Sequence, residues 1–332
     1  MNRGGIELLF QYSDWANERI LDAAAKVSVE QLIAPNDLGW GSLCGALVHT
    51  LDAEYIWRIL LEDGIDVEAL DPEDFPDVAS IRARWAAVRR AFWNYLGQLS
   101  DEELNASLDH EALGGLRGEP LWHLLIHVIN HGSHHRAECA ALLTGFGYSP
   151  GDVDFPLFLN SRNKHKNGDT MNCKDIELLF QYNDWANERI LDRAEEVSVE
   201  QLTAPNEFGW GSLRGALVHL LDAEYVWRNL LNGGVSIGEL KPEDFANVSA
   251  IRARWAEERS AFWHYLNSLS DDDLAGTVSY EGDGIMRHRV LWHCLAHVVN
   301  HGTQHRGECA ALLTGFGHSP GNLDFTVFLS ER

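Results

Sequence analysis

Cysteine is scarce in this sequence and shows no pairing pattern. Five cysteines occur in 332 residues, at positions 44, 139, 173, 294 and 309. Their number is odd, no two of them form a CxxC pair, and most stand in apolar stretches. A disulfide framework or a thiolate metal site is expected to show regular spacing. The sequence therefore predicts reduced, buried thiols.

Basic residues are also few. The chain has 26 Lys and Arg against 50 Asp and Glu, which gives a formal net charge of −24 at pH 7. Proteins that bind nucleic acid hold the phosphate backbone with clustered Lys and Arg, and neither half of the chain has such a stripe. We therefore expect no nucleic-acid partner.

Long apolar runs are missing as well. No run approaches the roughly 20 apolar residues of a membrane-spanning helix. The first residues, MNRGGIELLFQYSDW, do not contain the uninterrupted apolar core of a secretory signal. We predict a cytoplasmic location and no membrane partner.

The chain repeats itself once. IELLFQYSDWANERILD begins at position 6 and IELLFQYNDWANERILD at position 176. The same offset carries each tryptophan of the first half onto a tryptophan of the second, which pairs all 12. Residues 163–175 (NKHKNGDTMNCKD) are polar and rich in turn formers. We predict a first domain over 1–162, a linker over 163–175 and a second domain over 176–332, each domain long enough to bury a core.

Each copy contains four stretches with the 3.6-residue apolar period of an amphipathic helix. Ser42 is placed to cap the second stretch, and the SDEE sequence from Ser100 is typical of a capping box after the third. In the first copy the predicted helices cover residues 6–26, 42–61, 78–99 and 120–145. The pattern predicts an all-α fold of tandem four-helix bundles.

A small β-hairpin is predicted between the third and fourth helices of each copy. The second copy reads TVSYEGDGIMRHRV from Thr277. Its Gly282-Asp283-Gly284 turn lies between short alternating stretches, as in a hairpin. The corresponding segment of the first copy covers residues 106–118.

The fourth helix carries a row of histidines: His123, His127, His131 and His135. Residues four apart on a helix lie one turn above each other, so neighbours in this row can share one cation. The row turns slowly around the helix, and spacing alone leaves the pair His127 and His131 as a rival to His131 and His135.

A third ligand is expected from the second helix. His49 stands there in GALVHTLDAE, on an otherwise apolar face. A single histidine on such a face is usually a core residue. Opposite a helix with paired histidines, however, a metal site becomes the favoured interpretation, and the second copy repeats the pattern with His219, His301 and His305.

Three segments resemble the DinB/YfiT-like family, which is named after damage-inducible bacterial proteins. They are LVHTLDAEYIW from Leu47, NHGSHHRAE from Asn130 and WANERI from Trp15, and the second copy matches with NHGTQHRGE from Asn300. The resemblance covers each copy nearly end to end. It implies one ligand from the second helix and two from an HxxxH of the fourth, namely His49, His131 and His135 in the first copy and His219, His301 and His305 in the second. His134, replaced by Gln304 in the second copy, falls outside this set.

The resemblance also implies a function. Characterised relatives include thiol transferases that use low-molecular-weight thiols, so we expect a metal-dependent transferase that acts on small molecules. A hydrolase and a non-catalytic binding or stress-response module stapled by metal remain the alternatives. Imidazole ligands suit several divalent metals, of which zinc is our first choice and nickel the next.

Other residues near the histidines have roles in packing and in orienting the ligands. We expect the tryptophans and the cysteines at 139 and 309 to be core residues. Carboxylates that hold the second ring nitrogen of a ligand would fix its orientation. The candidates are Asp52, Glu54 and Glu138, with Asp222, Glu224 and Glu308 in the second copy. DinB-like proteins commonly pair through helices. We therefore predict that the two linked copies pair with each other within one chain, and that the chain itself is a monomer.

Overall fold

The structure is a computed structural model that describes residues 1–36, 39–162, 168–206, 210–233, 238–282 and 284–332. The chain forms two compact units, one of Met1–Asp169 with Asn322–Arg332 and one of Thr170–Gly321. The domain limits given above stay a prediction, and residues 163–167 of the proposed linker lie outside the described residues.

In its described residues, the first unit contains seven α-helices from the first copy of the repeat. They are α1 (Arg3–Ala24), α2 (Val29–Leu32), α3 (Leu43–Asp63), α4 (Val78–Gln98), α5 (Asp101–Asn105), α6 (Leu121–Gly145) and α7 (Phe155–Ser161). Short 3-10 helices cover Pro72–Asp74 and Glu111–Leu116.

The second copy repeats this order, with a pair of strands in place of the second 3-10 helix. Its helices are α8 (Cys173–Ala194), α9 (Val199–Thr203), α10 (Leu213–Gly233), α11 (Val248–Leu266), α12 (Asp271–Ala275) and α13 (Leu291–Gly315). A 3-10 helix covers Pro242–Asp244, and two strands, β1 (Thr277–Gly282) and β2 (Ile285–Val290), precede α13. The last helix, α14 (Phe325–Glu331), belongs to the first unit.

Four long helices make the bundle of each unit. In the first, α6 contacts α1 and α3, and α4 contacts the same two helices from the other side. Their apolar faces meet in a core that includes Leu21, Leu47, Trp85 and Leu143, each at most 1% exposed. Burying one such side chain stabilises the fold by about 1.5–3 kcal/mol. The predicted all-α fold of tandem four-helix bundles is confirmed.

The ends of these helices follow the sequence signals. Ser42 accepts a hydrogen bond from the backbone N–H of Gly45, and Ser100 and Glu103 form the predicted capping box. Gly64 ends α3 in the left-handed conformation at φ +71°, which a glycine adopts without strain. Among the described residues, no helix combines the length and the apolar content needed to cross a bilayer.

The hairpin prediction holds for the second copy. Strands β1 and β2 pair antiparallel from Thr277 opposite Val290 to Gly282 opposite Ile285, while Asp283 of the turn lies outside the described residues. The side chain of Tyr280 is buried and packs edge-on against Trp227, with ring centroids 5.2 Å apart.

For the first copy the hairpin prediction is wrong. Residues 106–118 contain the 3-10 helix Glu111–Leu116 and pair only through an isolated bridge between Ser107 and Pro120. Two glycines explain this, because Gly115 and Gly118 stand where the second copy has Ile285 and His288. Glycine weakens a strand, and Gly118, at φ +91°, departs from the extended backbone.

A buried cation joins α6 to the rest of the first bundle. The Arg136 guanidinium, 2% exposed, donates to Ser13 Oγ at 3.0 Å, Asn17 Oδ1 at 2.9 Å and Ser133 Oγ at 2.7 Å. Asn17 in turn donates to the buried Glu54 at 2.8 Å. A charge in the core is tolerated only when it is bonded in this way.

Glu54 completes the network. Its second carboxyl oxygen accepts a hydrogen bond from the indole N–H of Trp85 at 2.8 Å. Burial raises the pKa of Glu54 to about 7. The second unit builds the same network around Arg306, with Asn187 and Glu224 in equivalent roles. Each bundle therefore contains its own polar network, which links α1, α3, α4 and α6 in the first unit and the equivalent helices in the second.

Removing the buried guanidinium should destabilise the first unit. We expect Arg136→Met to lower the free energy of unfolding by about 3–5 kcal/mol, because Glu54 and Asn17 lose their cation inside the core. Urea denaturation measures this loss, and adding Glu54→Leu should recover part of it. Arg90→Met, at an exposed position of α4, is the control and should change stability by less than about 0.5 kcal/mol. A similar small effect for both arginines would contradict the assignment.

Candidate metal centre

Three histidines of the first unit converge between α3 and α6. His49 comes from α3 and His131 and His135 from successive turns of α6. One ligand atom of each lies within 4.8 Å of the others. The Nε2 atoms of His49 and His131 are 3.1 Å apart. The spacing of the sequence therefore translates into one compact group of imidazole nitrogens.

The second unit has the same group. His219, His301 and His305 lie within the same limit, and the Nε2 atoms of His219 and His301 are again 3.1 Å apart. Among the described residues, these two triads are the groups of three or more histidine, cysteine or acidic side chains that could hold a metal ion.

The remaining histidines of the row on α6 have other neighbours. His127 is buried and packs edge-on against Trp57, with centroids 4.8 Å apart. His123 Nδ1 contacts the Glu119 carboxylate at 2.6 Å. The geometry thus groups His131 and His135 with His49 and leaves the rival member, His127, against an indole.

An exposed tryptophan covers the His49 ring, which the sequence did not reveal. The Trp40 indole is 48% exposed and stacks on His49 with ring centroids 3.6 Å apart and planes 18° apart. Trp210 stacks on His219 in the same way, at 3.5 Å and 14°. The expectation that all tryptophans are core residues is therefore wrong for these two.

Glycine at position 45 allows this stacking. A Cβ at Gly45 would lie 2.2 Å from the Trp40 carbonyl oxygen, and one at Gly215 would lie 2.1 Å from the Trp210 carbonyl oxygen. The loop before α3 therefore rests directly on the first turn of that helix. The Gly-Trp-Gly-Ser-Leu sequence marks this loop, but the position of the indole depends on the close approach of the two backbones, which the sequence does not reveal.

Glu138 orients one of the histidines. Its Oε2 lies 2.8 Å from Nδ1 of His135, and Glu308 Oε2 lies 2.9 Å from Nδ1 of His305. A carboxylate on one ring nitrogen directs the other, Nε2, into the triad. These two glutamates fulfil the role predicted for them.

The other four predicted carboxylates do not contact the triads. Glu54 and Glu224 belong to the buried arginine networks. Asp52 accepts a hydrogen bond from the backbone N–H of Leu70 at 2.8 Å, and Asp222 accepts one from Leu240 at 2.7 Å. Glu54 and Glu224, five residues after the ligand, lie about 140° away around the helix. Asp52 and Asp222, three residues after it, are bonded to the backbone of a loop instead.

Burial keeps the imidazoles neutral. Desolvation lowers the pKa of His49 from 6.5 to about 4 and that of His219 to about 3. It also brings the pKa of His131, His135 and His301 well below the ordinary value, and neighbouring histidines lower it further. A neutral imidazole is the form that binds a metal. The donors are therefore ready for a cation at neutral pH.

The cysteines nearest the triads are core residues. Cys139 and Cys309 are at most 1% exposed, and burial raises the pKa of both thiols far above the ordinary value. A thiol is reactive as the thiolate, which burial in apolar surroundings disfavours.

The histidine triads fit a divalent cation. Two nitrogens that bind one zinc at about 2.0–2.1 Å in tetrahedral geometry lie about 3.3 Å apart. The 3.1 Å between the paired Nε2 atoms is close to this value. Three neutral ligands leave a further coordination position for a water or substrate atom, as in catalytic zinc sites.

A profile of the DinB family matches residues 1–169 and again residues 170–332. The chain belongs to the DinB family. The two matches also establish the tandem arrangement that the internal repeat indicated.

One curated relative is Protein DinB of Bacillus subtilis (strain 168). It is 26% identical over 158 residues, which cover 46% of this chain and 91% of the relative. A single-copy relative of this length corresponds to about one of the two repeats.

Removing the indole from Trp40 should weaken metal binding at the first triad. The stacked pair is worth about 0.5–1.5 kcal/mol, which corresponds to an affinity loss of about 2- to 12-fold for Trp40→Ala. Competition with a chromophoric chelator measures the affinity in a chain whose second triad is disabled by His301→Ala and His305→Ala. Trp40→Phe keeps a stacking ring and should retain most of the affinity. Equal losses of affinity for Trp40→Ala and Trp40→Phe would show that ring stacking does not contribute to metal binding.

The metal-free protein should lose stability as the pH falls. Because the pKa values of His49 and His219 are lower when folded than the ordinary 6.5, the unfolded chain binds more protons between pH 6.5 and about 4. Their contribution to the free energy of unfolding is thus complete above pH 6.5 and declines below it. Urea denaturation in the presence of a chelator gives the profile. His49→Asn with His219→Asn should flatten it, and an unchanged slope would argue against this origin.

Proposed function

We propose that each histidine triad holds one divalent cation, zinc first and nickel next, and that the chain is a metal-dependent transferase. Its substrates would be a low-molecular-weight thiol and a second small molecule with an electrophilic carbon. One observation carries the proposal: imidazole nitrogens from two different helices converge within 4.8 Å, and they do so in both copies.

The reaction class follows from the donor set. A dication held by three neutral imidazoles keeps its positive charge and favours the thiolate form of a thiol. In the transfer, sulfur donates an electron pair to the electrophilic carbon and a C–S bond forms. The bond between that carbon and the leaving group breaks, the leaving group departs with the electron pair, and the thiol proton goes to solvent or to the leaving group.

The thiol must come from outside the chain. Burial raises the pKa of all five cysteine thiols, with values of about 11 for Cys173 and about 12 for Cys294. At neutral pH these side chains are protonated and poor nucleophiles. A free thiol that enters the exposed side of a triad avoids this limit.

Residues of the chain prepare the site for this chemistry. Glu138 holds His135 by its Nδ1 atom, so that Nε2 faces the triad. Trp40 packs against one face of His49 and leaves nearly half of its own surface exposed. An exposed indole beside the triad offers an apolar surface to the carbon skeleton of a substrate.

The proposal extends to partners and location. With a net charge of −24, the chain would act on small molecules in the cytoplasm and bind neither nucleic acid nor membrane. We also propose that the two copies replace a homodimer and that the chain is a monomer in solution.

Metal analysis followed by a thiol-dependent activity screen tests the proposed function. We expect two equivalents of metal in the purified chain and thiol consumption with electrophilic small molecules. The paired variant His131→Ala with His301→Ala should lose both properties, because each triad then has two ligands. His134→Ala is the matched control, since Gln304 stands at its place in the second copy, and it should keep both.

Three other outcomes of this experiment would contradict the proposed function. Metal binding without turnover or thiol affinity would favour the non-catalytic module stapled by metal. Turnover that needs no thiol and consumes water would favour the hydrolase. A chain that binds no metal would refute the proposal as a whole.

A further inference from the structure

The C-terminal segment of the chain packs on α6, the helix that carries two histidines of the first triad. Although residues 322–332 belong in sequence to the second copy, they are part of the compact unit that contains the first copy. Helix α14 contacts α6 and the 3-10 helix Glu111–Leu116. Phe325 and Phe328 are buried. The segment is therefore a packed part of this unit.

Its last residue is tied to the start of α6. Arg332 Nη2 donates to both carboxyl oxygens of Glu119, at 2.8 and 3.1 Å. Glu119 also contacts His123, the first histidine of the row on α6. One end of the segment is thus fixed about two helical turns before His127 and about three before His131.

The other end of α14 carries an acidic side chain that its own helix does not use. Asp324 occupies the N-cap position, but its side chain makes no capping bond to the described backbone of α14. Its backbone N–H donates to Asn322 Oδ1 at 2.7 Å, which fixes the turn before the helix.

The charge of Asp324 acts on the histidines of the first unit. Burial by itself would raise the pKa of this carboxyl, but His127, His131 and His134 outweigh burial and hold it below the ordinary value. Desolvation lowers the pKa of His49, His131 and His135, and the Asp324 carboxylate raises it in part. The geometry agrees: α14 packs directly on α6, Arg332 at one end is bonded to Glu119, and Asp324 stands about two helical turns away at the other end, beside the turns of α6 that follow Glu119.

Asp324 is not part of the triad itself. Among the described residues, the group of donor atoms within 4.8 Å of one another consists of His49, His131 and His135. A carboxylate outside this group would neutralise part of the charge of a bound dication without occupying a coordination position. Groups of this kind commonly change metal affinity by about 10- to 100-fold.

We propose that Asp324 is a positioning residue of the first metal centre, supplied by the second copy of the repeat, and that its carboxylate strengthens cation binding by His49, His131 and His135. The inference rests on the proposed metal binding. It assigns the last residues of the chain a role in a site whose ligands are all found in the first copy.

The test uses the full chain with one triad at a time. In a chain with His301→Ala and His305→Ala, only the first triad remains, and competition with a chromophoric chelator gives its zinc affinity. We expect Asp324→Asn to weaken this affinity about 10-fold. Asp324→Glu restores the charge and should recover part of it. Asp63→Asn removes an equal charge from an exposed position at the end of α3 and should have no effect.

A reciprocal chain separates a local effect from a general one. With His131→Ala and His135→Ala, only the second triad remains, and Asp324→Asn should leave its zinc affinity unchanged. Equal losses in the two backgrounds, no loss in the first, or no recovery with Asp324→Glu would overturn the inference. Failure of the unsubstituted chain to bind zinc would instead remove the proposed function, so the two failures are distinguishable.

Discussion

A guanidinium buried inside each bundle fixes the position and rotation of the fourth long helix. Arg136 is bonded to side chains of α1 and, through Asn17, to Glu54 of α3. It lies one residue after His135 on α6, so the rotation that buries the arginine on one side turns the histidines toward α3 on another. Gly132 makes room for this, since a Cβ there would lie 2.9 Å from the guanidinium. The arginine thereby fixes the position of two imidazoles that it does not touch.

Two contacts, each of small interaction energy, complete the histidine site. A glutamate holds His135, and an exposed indole rests on His49. Neither contact would orient an imidazole on a helix that was free to rotate. Because the polar network links α6 to three other helices, these modest contacts act on side chains whose backbone is already fixed. The two units reproduce the arrangement closely, which indicates that the network and the site form one architectural unit.

Much of this could be predicted from the sequence because it depends on period and spacing. The four long helices follow from apolar residues every three to four positions. The grouping of His131 with His135 follows from helical geometry, although the choice against His127 came from the family resemblance. The placement of Trp40 could not be foreseen, because it depends on contact between a loop backbone and Gly45. Asp52 and Glu54 were misassigned because sequence distance from a ligand does not reveal which way a side chain points. Similarly, Gly115 and Gly118, in place of Ile285 and His288, leave a single bridge where the second copy has a ladder.

Because residues 322–332 belong to the first unit, the order of synthesis affects how that unit folds. A nascent chain leaves the ribosome from its amino end, and domains generally begin to fold in that order. Here the first four long helices emerge early, but α14, which packs on α6 and carries the buried Phe325, emerges only after the whole second unit. The half that is synthesised first is thus the half that is completed last, and until then its apolar surface beside α6 stays open to water or to a chaperone.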